Sequence, residues 1–273
     1  MKAITYLGIA SNSFGSLNTS SFCIETEVGK WLLVDCGPDT PRQLKKTGVA
    51  FSQLHTVVLT HSHLDHSGGL PYLLFGRNLD ILAAKATGTT LLPDETTLTL
   101  ICEPTLGSIL IDLLHTCHPE VKLQYEIRIL DIRSFCSTPF TFATHSLRFV
   151  LVDHAVSTYG LRIDDSAGHS LAYSSDTLPC EAFVNMATGA DLVIHEAMFP
   201  SDSNVGEKTK HSTTAQAGLV IKKIKPRLQA LLMHIHPAQF ANRQRMEAQA
   251  SEIAEMPVTY PVEGNKHFFT NLS

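Results

Sequence analysis

Positive charge is in short supply. Lys and Arg total 21 against 26 Asp and Glu, giving a net charge of −5 and a sequence pI near 6.3. No overall positive field exists to gather nucleic acid. The one basic cluster, Lys222, Lys223, Lys225 and Arg227, reads as a solvated helix end. Cys-x-x-Cys pairs are also missing. The six cysteines (Cys23, Cys36, Cys102, Cys117, Cys136, Cys180) are scattered, which argues against a disulfide framework and for a reduced, cytoplasmic setting. Apolar runs stay far short of the ~18–20 residues that a membrane-crossing helix needs. The first ten residues carry one lysine and a short apolar run, without the apolar stretch and cleavage site of a leader; they read as a first strand.

What remains is an ordinary globular composition, 44% hydrophobic and 17% charged over 273 residues, with ample material for a core. Strand-like runs are predicted at 4–9, 21–25, 31–35, 56–60, 81–84, 147–153, 159–163, 170–174, 192–195 and 230–234. Helices are predicted at 40–47, 69–75, 105–116, 181–187, 213–224 and 243–254. Pro41 and Pro104 sit where a first helical turn accepts proline, and Gly48 follows a helix as a C-terminal cap does. No repeat, low-complexity tract or polar linker divides the chain. The expectation is a single domain over 1–273, of the α/β (α+β) class with sheets inside and helices outside. The stretch at about 85–140 mixes one good helix with Thr- and Pro-bearing pieces, and is expected to form a cap or lid.

Histidine is abundant, at 14 residues, which invites a search for metal ligands. The decisive segment is Val57-Val58-Leu59-Thr60-His61-Ser62-His63-Leu64-Asp65-His66-Ser67-Gly68-Gly69. An apolar strand ends in His-x-His-x-Asp-His, and a Gly-Gly step leads into a helix. In an extended turn His61 and His63 project to one side and can reach one metal. Asp65 and His66, further round the bend, can face a second. Zinc takes imidazole nitrogen and carboxylate oxygen together, which suits this set.

In layered α/β folds, functional residues gather at the carboxyl ends of strands. Three further candidates meet that rule: His154 after Arg148–Asp153, Asp176 after Leu171–Ser175, and His234 after Leu228–Met233. Each alone is as well read as a structural residue; together they supply the number needed to complete two sites. Asp35, in Val-Asp-Cys-Gly, is a candidate acceptor for the second ring nitrogen of a metal-binding histidine. His195, beside Glu196, reads as structural or as a support for the ligands, and His236 as a shaper of the turn after His234.

These motifs resemble the metallo-β-lactamase superfamily and, within it, the ribonuclease Z-like and phosphodiesterase branch. The resemblance runs through Leu33-Val34-Asp35-Cys36-Gly37, the His61–His66 motif, Val152-Asp153-His154 and Ser174-Ser175-Asp176-Thr177. It continues through Ile194-His195-Glu196-Ala197, His211-Ser212-Thr213 and Met233-His234-Ile235-His236-Pro237. It implies a four-layer αββα sandwich and two divalent metal ions, zinc first, with manganese or iron able to occupy the same nitrogen and oxygen sites. It implies one ion held by His61, His63 and His154, a second by Asp65, His66 and His234, and Asp176 bridging both. It makes His211 a catalytic histidine close to the metals without binding them, and gives Asp65 a second role in orienting or deprotonating the attacking water. Many β-lactamases of the fold carry cysteine at the position of Asp176, which argues against that activity.

The function so implied is a dinuclear metal-dependent hydrolase, a phosphodiesterase acting on a small or cyclic phosphodiester. Processing of transfer RNA at its 3′ end is the alternative within the branch. RNA is disfavoured as a partner because the path from His154 to Asp176 is too short for the RNA-binding arm of bacterial members, and because the net charge is acidic. Lactonase or other ester hydrolysis shares the same centre, and a metal-binding scaffold is the non-enzymatic reading. Relatives in the branch often pair, so a homodimer is an expectation; a membrane partner is not.

Overall fold

The structure is a computed structural model that describes residues 1–13, 15–90 and 96–269. Two seven-stranded sheets face each other. The first runs β14 (Lys266–Phe268), β1 (Ala3–Gly8), β2 (Ser21–Glu27), β3 (Lys30–Val34), β4 (Leu54–Val58), β5 (Thr97–Cys102) and β6 (Glu126–Asp131). The second runs β13 (Val258–Thr259), β12 (Gln229–Met233), β11 (Leu192–Glu196), β10 (Ser170–Tyr173), β9 (Tyr159–Asp165), β8 (His145–Leu151) and β7 (Phe140–Phe142).

The period-2 alternation of side chains along a strand explains the layering. Ile4, Tyr6, Leu32 and Val34 of the first sheet meet Leu192, Ile194, Leu231 and Met233 of the second in one apolar cluster between the sheets. Their neighbours point outward. Leu33 and Val57 pack under the helices α1 (Thr40–Lys46), α3 (Leu70–Ala86) and α4 (Pro104–Cys117). Val193, Ala230 and Leu232 pack under α5 (Glu181–Ala187), α7 (Thr214–Ile224) and α8 (Arg243–Ala254). Both faces of each central strand are therefore covered, which is why β4 and β11 are buried throughout. Full burial of each such Leu, Ile or Val side chain contributes roughly 1.5–3 kcal/mol. The order is helices, sheet, sheet, helices: the αββα sandwich of the metallo-β-lactamase fold.

Two helices show why they begin where they do. Thr213 caps α7, its hydroxyl accepting from the Gln216 N–H while Gln216 accepts from the Thr213 N–H, a reciprocal capping box. In α3, Arg77 is wholly buried and donates to the carbonyls of Phe51, Ser52 and Leu54 (2.7–2.9 Å) and of Thr97 (3.3 Å). It ties the helix to the starts of β4 and β5.

Residues 81–84, expected as a strand, lie inside α3. Gly76 after Phe75 marks a possible stop, but here it serves close packing, since a Cβ on it would stand 2.4 Å from the Phe51 ring, and Leu74, Arg77, Asn78 and Ile81 continue the helix's buried face. In the 85–140 stretch, β5 and β6 extend the first sheet in parallel beyond β4, with α4 packed against them; residues 91–95 of that stretch lie outside the described residues. No helix among the described residues is long and apolar enough to cross a membrane.

Strand direction positions the site. β3 and β4 are parallel, as are β10, β11 and β12. β8 runs the same way as β10, because both are antiparallel to β9. The carboxyl ends of β4, β8, β10 and β12 lead into His61, His154, Asp176 and His234.

Candidate metal centre

After β4 the chain leaves the sheet through Leu59 and Thr60, turns at His61–His63, and enters the short helix α2 (Leu64–Ser67). The loop after β3 is stitched to this turn: the Cys36 N–H donates to the His66 carbonyl (2.7 Å), and the Gly69 N–H to the Cys36 carbonyl (2.8 Å). The approach requires glycine. A Cβ on Gly69 would stand 2.1 Å from the Gly37 carbonyl oxygen, and one on Gly37 would stand 2.1 Å from that of Asp65. Asp35, Ser175 and His234, each just beyond a strand, adopt left-handed backbone (φ 60°, 53° and 65°). For residues other than glycine this is strained, by roughly 1 kcal/mol or more each.

The structure brings all seven expected ligand residues together. His61, His63, His154 and Asp176 form one set, and Asp65, His66, His234 and Asp176 another; within each set the potential ligand atoms lie within 4.8 Å of one another. The Asp176 carboxylate is common to both. Its Oδ2 lies 3.5 Å from His61 Nε2 and 3.2 Å from His234 Nε2, and its Oδ1 lies 3.4 Å from His66 Nε2. His63 Nδ1 and His154 Nε2 face each other at 3.3 Å. Ligands at ~2.0–2.1 Å from a tetrahedral ion stand about 3.3 Å apart, so these spacings fit atoms that share a central cation.

Hydrogen bonding tests that fit independently. His61 Nε2, His66 Nε2 and both oxygens of Asp176 are buried without a partner among the described residues. Each such orphan costs about 1–3 kcal/mol when left unmade, and here they converge on the same points. The far side of four of the five rings is held, those of His61, His66, His154 and His234. His66 Nδ1 donates to Asp35 Oδ2 (2.8 Å), His154 Nδ1 to the Lys210 carbonyl (2.9 Å), and His61 Nδ1 and His234 Nδ1 meet the hydroxyls of Thr60 (3.1 Å) and Ser20 (3.3 Å). A donor on Nδ1 leaves the Nε2 lone pair for a metal. The residues present therefore fit two divalent cations.

Electrostatics agree. Burial pushes the pKa of His61, His154 and His234 down, which keeps their rings neutral. Burial works against charge on Asp176, yet the imidazoles around it hold it ionised, well below the usual carboxylate range. His66 is raised against its own burial because Asp176, Asp35 and Asp65 surround it. So much negative charge in a buried space demands positive counter-charge.

Glu196 is the residue that sequence reasoning passed over. It is fully buried at the end of β11, and its Oε1 accepts from His211 Nδ1 (3.0 Å) and from the Thr177 N–H (2.9 Å). Burial opposes charge on His211, but Glu196 and then Asp176 raise it to about 9. His211 Nδ1 stands 4.0 Å from Asp176 Oδ2, and its ring stacks on His234 at 5.2 Å and 19°. The available signal is the His195-Glu196-Ala197 step, in which the histidine is the more conspicuous metal-ligand type. His195 instead points away: its Nδ1 donates to the Glu196 carbonyl (2.7 Å) and its ring packs on Phe183. His236 also lies outside both sets. The carbonyl of Lys210 and the hydroxyl of Ser20 had no sequence signature.

Fold and cluster together define a metallo-hydrolase class, the ribonuclease Z-like and phosphodiesterase branch of the metallo-β-lactamase superfamily. The chain belongs to the family described as anti-Pycsar protein Apyc1, whose model matches residues 2–255. It is 25% identical to a ribonuclease Z of Synechococcus sp. (strain CC9605), over 78% of this chain and 80% of that protein. It is 30% identical to the human zinc phosphodiesterase ELAC protein 2 over 73% of this chain, but that match spans only 26% of the human protein. Among solved structures, the metallo-beta-lactamase fold protein YhfI from Bacillus subtilis superposes with a TM-score of 0.78 at 21% identity, over 97% of this chain and 98% of that one.

Proposed function

We propose that the 273-residue chain acts as one metallo-β-lactamase domain and is a dinuclear, metal-dependent phosphodiesterase for a small or cyclic phosphodiester. The observation that carries the reading is the shared carboxylate of Asp176, flanked by two ligand sets with its oxygens unsatisfied. His61, His63, His154 and Asp176 would hold one ion, and Asp65, His66, His234 and Asp176 the other. Bound zinc, or manganese or iron in its place, supplies a water of near-neutral pKa and charge neutralisation at a phosphoryl oxygen. Asp65, partly exposed at the cluster edge, would orient the attacking water and take up its proton. His211 donates a proton to the departing oxygen. Glu196 fixes its ring and favours its protonated form.

A small substrate is favoured by the short path between β8 and β10. β8 ends at Leu151, β9 begins at Tyr159, and a tight turn at 166–169 leads to β10, which leaves no arm to embrace an RNA. Transfer RNA 3′ processing is the second reading, supported by the names of the ribonuclease Z relatives. Homodimer formation belongs to the same proposal: Tyr72, Leu79 and Leu82 on α3 and Ile109 and Leu113 on α4 are exposed, a patch suited to burial against a second copy.

The test is elemental analysis of the purified protein alongside a panel of bis-p-nitrophenyl phosphate, a cyclic nucleotide, a homoserine lactone, nitrocefin and a precursor transfer RNA. Two metal equivalents with turnover of a small phosphodiester supports the reading. Lactone hydrolysis alone, or metal without any turnover, replaces it with the ester-hydrolase or scaffold reading.

A further inference from the structure

Ser20 stands behind His234, and its own hydrogen bonds decide which way its lone pairs face. The Ser20 hydroxyl donates to the Ala10 carbonyl (3.1 Å), as does the Ser20 N–H (2.8 Å). A hydroxyl has one proton to give. With that proton on Ala10, the Ser20 oxygen accepts from His234 Nδ1 (3.3 Å). Nδ1 then carries the ring proton, and the Nε2 lone pair is left on the side of Asp176. The setting of the His234 ring therefore depends on where the Ala10 carbonyl stands.

Ala10 is fixed from two sides. Its neighbours are laced to the end of β12: the Ile235 N–H donates to the Ile9 carbonyl (2.9 Å), and the Ser11 N–H to the Ile235 carbonyl (3.0 Å). On the other side the N–H groups of Ile9 (3.0 Å) and Ala10 (2.9 Å) both donate to the Asn18 carbonyl. Asn18 in turn is gripped by Glu263, from the stretch between β13 and β14. Glu263 Oε1 accepts from the Asn18 N–H (2.8 Å) and the Ile9 N–H (3.3 Å), and its Oε2 accepts from Asn18 Nδ2. Gln43 Nε2 of α1 donates to Asn18 Oδ1 (2.6 Å). The strap also presses on the end of β1, where a Cβ on Gly8 would stand 2.1 Å from the Thr19 carbonyl oxygen. Burial pushes the pKa of Glu263 up, so a carboxylate is held here at a cost, and both of its oxygens are spent on positions 9 and 18.

We propose that Glu263 is a positioning residue for the candidate metal centre: through Asn18, Ala10 and Ser20 it sets the orientation and proton position of His234, although it belongs to neither ligand set. The inference rests on the two-ion reading for what His234 holds.

The experiment is a double-mutant cycle of Ser20→Ala and Glu263→Ala on full-length protein. It is read by competitive zinc titration, with thermal unfolding alongside and long-range proton–nitrogen NMR of the imidazoles in the metal-free protein. Ser20→Ala is expected to weaken one zinc equivalent about tenfold, the low end for an outer partner of a ligand histidine. Glu263→Ala, further along the same path, should weaken that equivalent about three- to fivefold and leave the other unchanged. The double variant should stay near the Ser20→Ala value instead of reaching the product of the two factors. In the metal-free parent the His234 proton should sit on Nδ1, and Glu263→Ala should erode that preference. Should Glu263→Ala fail to fold, Glu263→Gln takes its place, since its amide offers one acceptor oxygen where the carboxylate offers two. A Glu263 variant that melts earlier while both zinc affinities and the His234 tautomer keep their parent values overturns the proposal and leaves Glu263 a brace. So do factors that multiply in the double variant, and equal weakening of both equivalents. A parent that binds no zinc, but whose His234 tautomer follows Glu263, removes the two-ion reading and keeps the positioning role.

Discussion

Replacing Asp35 by asparagine removes one charge and leaves the shape of the side chain almost unchanged. The backbone tolerates the exchange, because asparagine is among the residues that enter the left-handed region most readily, and Asp35 has φ 60°. What changes is the bonding. The carboxylate accepts from the Thr60 N–H (2.9 Å), the Thr60 hydroxyl (3.0 and 3.1 Å) and His66 Nδ1 (2.8 Å). An amide has a single acceptor oxygen. If that oxygen serves Thr60, the NH2 group faces His66 Nδ1, and the ring must move its proton to Nε2, the atom that faces Asp65 and Asp176. If the oxygen serves His66, the Thr60 N–H loses its partner. Removing such an outer partner of a ligand histidine costs about 10–100-fold in metal affinity, or roughly 1.4–2.8 kcal/mol. The assay is a competitive zinc titration against a chromogenic chelator. We expect one of the two equivalents to weaken by that factor, since His66 belongs to only one ligand set. Two unchanged affinities in a folded Asp35→Asn protein would refute the reasoning that Asp35 sets the proton position on His66.

The other predictions concern the cluster and its surroundings. His211→Ala should retain both metal equivalents and lose about 10²–10⁴-fold in turnover, measured by elemental analysis and steady-state kinetics on one preparation; normal turnover removes His211 from the mechanism. Asp176→Ala should lower metal content of both sites together, read by the same elemental analysis; full occupancy would exclude a bridging role. His195 is pushed down to about 4 by burial, against ~6.5 in an unfolded chain. The unfolded chain therefore takes up a proton between those values while the fold does not. Stability falls as pH drops through that window, by on the order of 3 kcal/mol in total, and is unaffected above it. Urea unfolding of His195→Asn beside the parent at pH 7 and pH 4 measures the difference, and parallel pH curves would exclude the effect. Sedimentation should show a dimer that Leu79→Glu in the exposed α3 patch converts to a monomer.

The candidate metal centre was unusually open to sequence reading because its first four members occupy one six-residue window. His154, Asp176 and His234 followed from a general rule, and the rule works here because β8, β10 and β12 all run toward the same edge. The outer sheet positions were harder. β5 alternates Thr97 and Thr99 with Leu98 and Leu100, and β6 leaves most of its side chains partly exposed, so neither shows the dense apolar run that marks a buried strand. Residues 81–84 looked like a strand because four apolar residues stood together; the continuation of a helix into them is a tertiary matter, decided by what Arg77 and Ile81 bury. Glu196 hid behind His195. Groups that hold rings through backbone, such as the Lys210 carbonyl, leave no mark on residue identity at all.

The strained positions at the strand ends carry a further consequence. At Asp35, Ser175 and His234 glycine would suit the backbone better than the residues present. At His234 such an exchange deletes a candidate ligand, and at Asp35 the acceptor that orients another. Yet glycine at Asp35 would leave the buried Thr60 N–H, its hydroxyl and His66 Nδ1 without their acceptor, at about 1–3 kcal/mol for each orphan, more than the roughly 1 kcal/mol of strain it would relieve. Selection for thermal endurance alone should therefore keep Asp35, so the same side chain that orients the ring also anchors the fold.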